Sequence, residues 1–427
     1  MEVFEDARAV DAAGPACDAC LGRVFADRSF GLTNAERGRA LRVSLGLADD
    51  EEPAAVTPAD CWVCEGYCAA FDDWADRAAD AVGDVGFDTY QVGTKAPPLV
   101  AENERLLRED AGLAPDTGER FKKEFNREVG KRLGRALGAE VDFERPHVQF
   151  TLDLPNDRVE TAVNSAFVYG RYRKLERDIP QTEWPCRECH GSGYRGSEPC
   201  DRCDGAGYLY EESVEQLTAP VVEDVMDGTQ STFHGAGRED VDALMLGTGR
   251  PFVVEVEEPR RREADTERLQ ADINAFAEGK VDVEGLALAR YDMVERVKRH
   301  DASKRYRAAV AFDEPVTDEA LAVAADELDG ATVAQDTPER VDHRRASRTR
   351  VREAYSVTAE RDGDRHATVE VHGEGGLYVK ELVSGDEGRT EPSLAGLLGV
   401  GAAVDELDVL AVEGEDEPFE TEPFFWD

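Results

Sequence analysis

Eight of the nine cysteines fall into four Cys-x-x-Cys pairs, and these pairs limit the folds open to the chain more than any other feature. A tetrahedral zinc ion needs four thiolates, and one tight Cys-x-x-Cys knuckle presents two of them. Cys186 with Cys189 and Cys200 with Cys203 are separated by ten residues. Each pair runs into a Gly-x-Gly-Tyr stretch, Gly191 to Tyr194 and Gly205 to Tyr208, whose glycines let backbone amides turn towards the sulfurs. Cys17, Cys20, Cys61 and Cys64 make a second set across a longer loop, and Cys68 is left over as a buried thiol. The expected ions are one or two structural zincs, because four cysteines leave no open position for chemistry.

Charge decides the setting. The 427 residues carry a formal charge of −42, and of the 50 basic residues 9 are Lys and 41 Arg. An acid-rich, Lys-poor surface suits a protein that stays hydrated in concentrated salt. It excludes simple attraction of the whole molecule to nucleic acid or anionic lipid, while leaving local basic sites open. The longest apolar run, Leu394 to Val404, has 11 residues with three glycines, well short of the roughly 20 a membrane helix needs. The acidic start MEVFEDARAVD has no apolar signal core, so a cytoplasmic protein with no membrane partner is expected, its cysteines reduced or on metal.

Four segments are expected: a zinc-knuckle module over 1–69, a stretch of alternating helical and strand patterns over 70–180, a zinc-ribbon insertion over 181–210, and a long mixed domain over 211–427 with an acidic tail. Phe121, Phe125, Val129, Leu133 and Leu137 form one apolar helix stripe, and Val148 to Leu154 alternates as a half-buried strand does. Four basic islands stand out: Glu119–Arg135, Arg290–Arg307, Arg344–Arg352, and Arg171, Arg173, Lys174 and Arg177 with Tyr169 and Tyr172 between them. Each island alone is equally a solvated face or a set of ion-pair partners. Together, in so acidic a chain, they favour an RNA path.

Gly237-Arg-Glu-Asp240-Val-Asp-Ala-Leu-Met-Leu-Gly-Thr-Gly-Arg-Pro-Phe252 is the densest stretch. A glycine-flanked Arg-x-Asp places a carboxylate at a loop tip beside a guanidinium, although such a loop alone is more often a structural pair. Two acids compete there, Asp240 and Asp242; the second leads into the apolar Ala243–Leu246 run and reads as an anchor. Tyr306 opens a strand in Lys304-Arg-Tyr-Arg, and Gly376-Leu-Tyr378-Val-Lys380 reads as a strand that leads through a turn to the apolar helix after Ser393.

With Cys17-Asp-Ala-Cys20-Leu-Gly-Arg-Val-Phe25, Arg145-Pro-His147 and Phe167 to Gln181, these motifs resemble the archaeal tRNA pseudouridine synthases that modify uridines 54 and 55 of the T arm. The resemblance implies an α+β chain: a zinc-stapled N-terminal module with a THUMP-like RNA-binding domain, then a catalytic domain on a largely antiparallel mixed sheet. It makes Asp240 the catalytic carboxylate, with Arg238 and Lys380 beside it. Tyr306 and Tyr378 line the uridine pocket, and Tyr306 is the candidate base for the C5 proton. Leu244 stands where many members have arginine. No redox or nucleotide cofactor and no obligate protein partner are implied; the partner is the T arm of tRNA. The two Cys-Gly arms also resemble those of DnaJ-type chaperones, but those carry four such repeats and a His-Pro-Asp helical domain, and this chain has two repeats and no His-Pro-Asp. A tRNA methyltransferase or thiolase needs a glycine-rich nucleotide loop after a strand, and Gly373-Glu-Gly-Gly376 is too short and is expected to precede a strand rather than a helix. A non-catalytic zinc-stapled RNA-binding protein is the remaining rival.

Overall fold

The structure is a computed structural model describing residues 2–53, 55–299, 302–338, 348–414 and 418–426. It divides into two compact units, Met1–Asn164 and Ser165–Asp427. The expected boundary at residue 180 therefore lies inside the second unit.

In the first unit, helices Asp18–Val24 and Asn34–Asp49 cross where Gly22 faces Gly38. A Cβ on either glycine would enter the other helix's backbone, at Asn34 O and Asp18 O respectively. Thr33 and Glu36 form a reciprocal capping box that starts the second of these helices. The sheet has strands β1 (Thr89–Lys95), β2 (Glu140–Val141), β3 (Val148–Asp153) and β4 (Arg158–Val163) in the order β2-β1-β3-β4. β1 runs parallel to β2 and β3, as the intervening helices Pro98–Asp110 and Phe121–Leu137 require. Phe121, Phe125, Val129 and Leu133 are buried against Phe150 and Leu152 in one core, whereas Leu137 at the helix end is 38% exposed. The stripe is thus four residues long, because the helix runs past the core it covers.

The second unit is organised by strands β5 (Ala166–Lys174), β6 (Tyr194–Arg195), β7 (Glu198–Pro199), β8 (Gln230–Gly235), β9 (Met245–Glu257), β10 (Val281–Ala289), β11 (Ala302–Phe312), β12 (Ala331–Asp336), β13 (Thr349–Gly363), β14 (His366–Gly373), β15 (Thr390–Glu391) and β16 (Ala402–Gly414). β6 and β7 pair only with each other, within the cysteine ribbon. The others form one sheet in the order β10-β5-β9-β16-β11-β14-β13-β12-β15, with β8 on β9. Its pairs are antiparallel except for a single parallel contact of Val409 with Met245. Two apolar cores cover it, one containing Val214, Phe252 and Ile273, the other Leu321, Val369 and Leu382, and Tyr306 borders both. Among the described residues, no helix is long and apolar enough to cross a membrane.

Candidate active site and metal centres

The Gly237–Leu244 loop joins β8 to β9, and it is fixed from beneath by a buried carboxylate. Glu239, with its side chain 1% exposed, accepts from Arg250 Nε at 2.8 Å and from the Tyr172 hydroxyl at 2.9 Å, with Lys174 Nζ at 3.9 Å. Lys174, fully buried at the end of β5, donates to the carbonyls of Ile179 and Val241 at 2.7 and 2.9 Å and to Asp240 O at 3.4 Å. Gln181 Nε2 ties the Tyr172 hydroxyl to Gly237 O. Burial pushes the Tyr172 phenol up, and Glu239 adds to the effect; burial lowers the Lys174 ammonium. The ordered platform leaves Asp240 at the surface of the loop, its side chain 46% exposed.

The segment expected as a strand, Gly376–Lys380, instead turns into the helix Val379–Ser384, and Lys380 reaches the loop from that helix. Its Nζ lies 3.3 Å from Asp240 Oδ2 and 3.5 Å from Asp242 Oδ2, so the ammonium serves both acids. The turn before this helix is clamped by Gln335, fully buried, which donates to Tyr378 O at 2.9 Å and accepts from Tyr378 N at 2.8 Å. Among the described residues the buried Tyr378 hydroxyl has no hydrogen-bond partner, and Arg350 stands 5.8 Å from the ring centre. Tyr306 lies within electrostatic reach of Asp240 and Arg250; burial pushes its phenol up to about 12, Arg250 opposing and Asp240 adding. Lys380 thus touches Asp240, Tyr306 lies within electrostatic reach of it, and Tyr378 sits in the turn that leads into the Lys380 helix. Arg238 does not pair with Asp240: it is exposed, with no acidic partner among the described residues. The buried guanidinium beneath the loop is Arg250 of β9, which bonds Glu239 and Ala236 O.

Both cysteine clusters are buried and fit a tetrahedral ion. Sγ atoms 2.3 Å from a shared zinc stand about 3.8 Å apart. Cys186–Cys200 and Cys189–Cys203 are 3.9 and 3.7 Å apart, and Gly207 N donates to Cys203 Sγ at 3.2 Å. Gly193 and Gly207 have φ of +73° and +84°, and a Cβ at either would strike the facing knuckle's backbone. In the first unit, the four sulfurs mutually within 4.8 Å are those of Cys17, Cys20, Cys64 and Cys68, not the expected set with Cys61. Cys68 enters because the 3-10 turn Tyr67–Ala69 brings its side chain back to the cluster. Cys61 stays adjacent, its Sγ 3.6 Å from that of Cys20. Arg23, 1% exposed, donates to Cys20 Sγ at 3.2 Å and pairs with Glu124 at 2.7 Å and Glu104 at 3.2 Å.

The basic islands resolve differently from one another. The Arg171–Arg177 island is structural: Arg171 bonds Thr248 O and Val412 O and pairs with Glu420, Arg173 pairs with Asp282, and Arg177 with Glu406 and Asp408. Its Tyr169 and Tyr172 are buried. Arg290 stacks 4.0 Å from the Trp426 ring centre and Arg296 4.7 Å from that of Phe424, so part of the second island holds the acidic tail. Arg344 and Arg345 lie outside the described residues. Among the described residues, Glu119–Arg135 keeps exposed cations without an acidic partner, Arg120, Lys122 and Lys123, as do Lys298 and Arg305 in the second island and Arg348 in the third. Arg127 and Arg132 of the same helix are half-buried and paired with Glu119 and Asp72.

The family model for the Pus10 C-terminal region matches residues 167–413, and that for the archaeal Pus10 THUMP domain matches 74–153. A tRNA pseudouridine synthase Pus10 from Halorubrum lacusprofundi is 72% identical over 425 residues, spanning 100% of both chains. Another from Methanothrix thermoacetophila is 42% identical across 94% of this chain and 92% of its own. A third, from Pyrococcus furiosus, is 36% identical across 96% and 98%. A C-terminal-region match over more than half the chain, a THUMP match inside the first unit and relatives alike end to end place this chain in the Pus10 family of tRNA pseudouridine synthases.

Proposed function

We propose that this enzyme converts uridine to pseudouridine at positions 54 and/or 55 of the tRNA T loop, with Asp240 as the catalytic carboxylate. The observation that carries this is the Lys380–Asp240 contact at 3.3 Å, which joins two motifs 140 residues apart at the tip of a loop fixed from below. A target uridine leaves its stack to reach such a loop, at a cost of a few kcal/mol that pocket contacts offset. Asp240 then assists cleavage of the N-glycosidic bond, the base turns and rejoins through C5, and the C5 proton leaves. Tyr306 and Tyr378 offer ring faces to the base. A phenol held up at about 12 is neutral at rest, so Tyr306 takes the C5 proton only after giving up its own, and Asp240 is the nearby carboxylate to receive it. The two cysteine sets would hold structural zinc, which supplies folding energy here and no open position for chemistry. Position-resolved pseudouridine mapping of tRNA incubated with the protein at high salt tests the reading. Modification at 54 or 55 supports it; modification confined to another arm, or none, overturns it.

A further inference from the structure

In the first unit, a cavity of about 670 Å³ opens between the Ala26–Arg37 segment and the start of the helix Phe121–Leu137. Its size is that of a nucleotide-scale ligand site. One wall carries Phe30, 88% exposed, in a turn where nothing of the protein covers the ring. The opposite wall carries Arg120, Lys123 and Lys131. Three acids also line the cavity, and two of them are engaged: Glu119 by Arg127 at 3.1 Å and Glu128 by Lys131 at 3.7 Å. Arg120 and Lys123 remain exposed with no acidic partner among the described residues. In a chain of charge −42, two uncommitted cations beside a bare aromatic ring form a local anion site.

We infer that this cavity holds an unpaired nucleotide of the RNA, its base stacked on Phe30 and its phosphate against Arg120 and Lys123. The inference rests on the RNA-modifying reading and adds a second RNA contact, in the first unit. The chemistry separates the two contributions. In concentrated salt the Debye length falls to about 3 Å at 1 M, so phosphate contacts weaken while stacking on an aromatic face persists. Phe30 therefore carries most of the binding under the conditions the composition implies, and the cations add to it as salt is lowered. An acidic protein segment would use the cations but gain little from a single exposed ring, which favours nucleic acid.

The test uses the full chain with a transcribed tRNA and a labelled single-stranded hexaribonucleotide. Phe30→Ala should weaken both roughly tenfold or more in concentrated salt, the scale of one lost base stack, and Phe30→Tyr should restore them. Arg120→Glu with Lys123→Glu should weaken binding increasingly as salt is lowered. Melting temperatures of all variants should match the parent, since all three side chains are exposed. Unchanged affinity in Phe30→Ala, or a loss that Tyr does not restore, overturns the inference, as does stronger binding of an acidic peptide than of RNA. Pseudouridine formation by the parent is measured separately. Its absence alongside Phe30-dependent binding would remove the catalytic reading alone; its presence with a silent Phe30→Ala would remove the cavity alone.

Discussion

Replacing Glu239 with Gln should damage the Gly237–Leu244 loop through its foundation. The carboxylate is 1% exposed and neutralises Arg250, itself 1% exposed, at 2.8 Å. Removing one member of a buried pair costs about 3–5 kcal/mol, because the other charge stays buried uncompensated. The Gln carbonyl still accepts from Tyr172 or Arg250 and recovers about 1 kcal/mol. A net loss of about 2–4 kcal/mol remains, which for a large domain lowers the melting temperature by roughly 5–15 °C. Surface pairs are screened in molar salt, but this one is dry, so the loss should persist there. Well below the transition, kcat should fall about 10- to 100-fold, because the loop carrying Asp240 is no longer held to sub-ångström tolerance. Calorimetry at several salt concentrations and single-turnover kinetics measure both. Arg250→Met in the Glu239→Gln background should cost less than the sum of the single changes. A Glu239→Gln protein that melts within a degree or two of the parent and turns over normally would refute the role of this network.

Purified protein should contain about two zinc ions per chain, and single changes of Cys61 or Cys68 to Ser should keep both, because five thiols surround the first site; elemental analysis showing loss with either single change would exclude that redundancy, and the double change should lose one ion. Tyr306 is raised in the folded state, so its contribution is fully present below about pH 10, the unfolded value, and fades as pH rises through about 12. Ultraviolet titration of Tyr306→Phe should lack one late-ionising phenol, and a missing phenol near pH 10 would contradict the burial argument. Phe419→Ala, at 1% exposure, should cost about 3 kcal/mol, and Trp426→Ala, under Arg290, about 1 kcal/mol, both read from melting curves. Equal, negligible losses would mean the tail is not anchored.

The parts legible in the sequence were those written in local spacing. Cysteine knuckles announce paired thiolates, the Phe121–Leu133 stripe announces a helix face, and the alternation of Val148 to Leu152 announces a half-buried strand. The Asp240 loop and Lys380 were legible as motifs, and they meet. What sequence spacing conceals is partnership at long range. Arg171 looks like an RNA cation until Glu420, 249 residues later, closes on it, and Arg290 and Arg296 look free until the tail's aromatics cover them. Glu239 was passed over between two candidates, although a carboxylate with an arginine 11 residues on and a Tyr-Arg-Lys run upstream offered a signal. Cys68 was set aside because it lies outside the Cys-x-x-Cys rule, and only a tight turn returns it to the cluster.

The central claim is that Asp240, not its neighbour, performs the chemistry, and Lys380 touches both acids, so contact alone does not separate them. Asn is nearly isosteric and removes only the anionic oxygen, which isolates chemistry from binding. The deciding measurement is pseudouridine mapping of the same tRNA treated with Asp240→Asn and with Asp242→Asn, each checked for folding, zinc content and tRNA affinity. The account predicts that Asp240→Asn binds tRNA as the parent does and forms no pseudouridine, while Asp242→Asn keeps measurable activity. Normal turnover by Asp240→Asn with a dead Asp242→Asn would contradict it and move the catalytic carboxylate two residues along the loop.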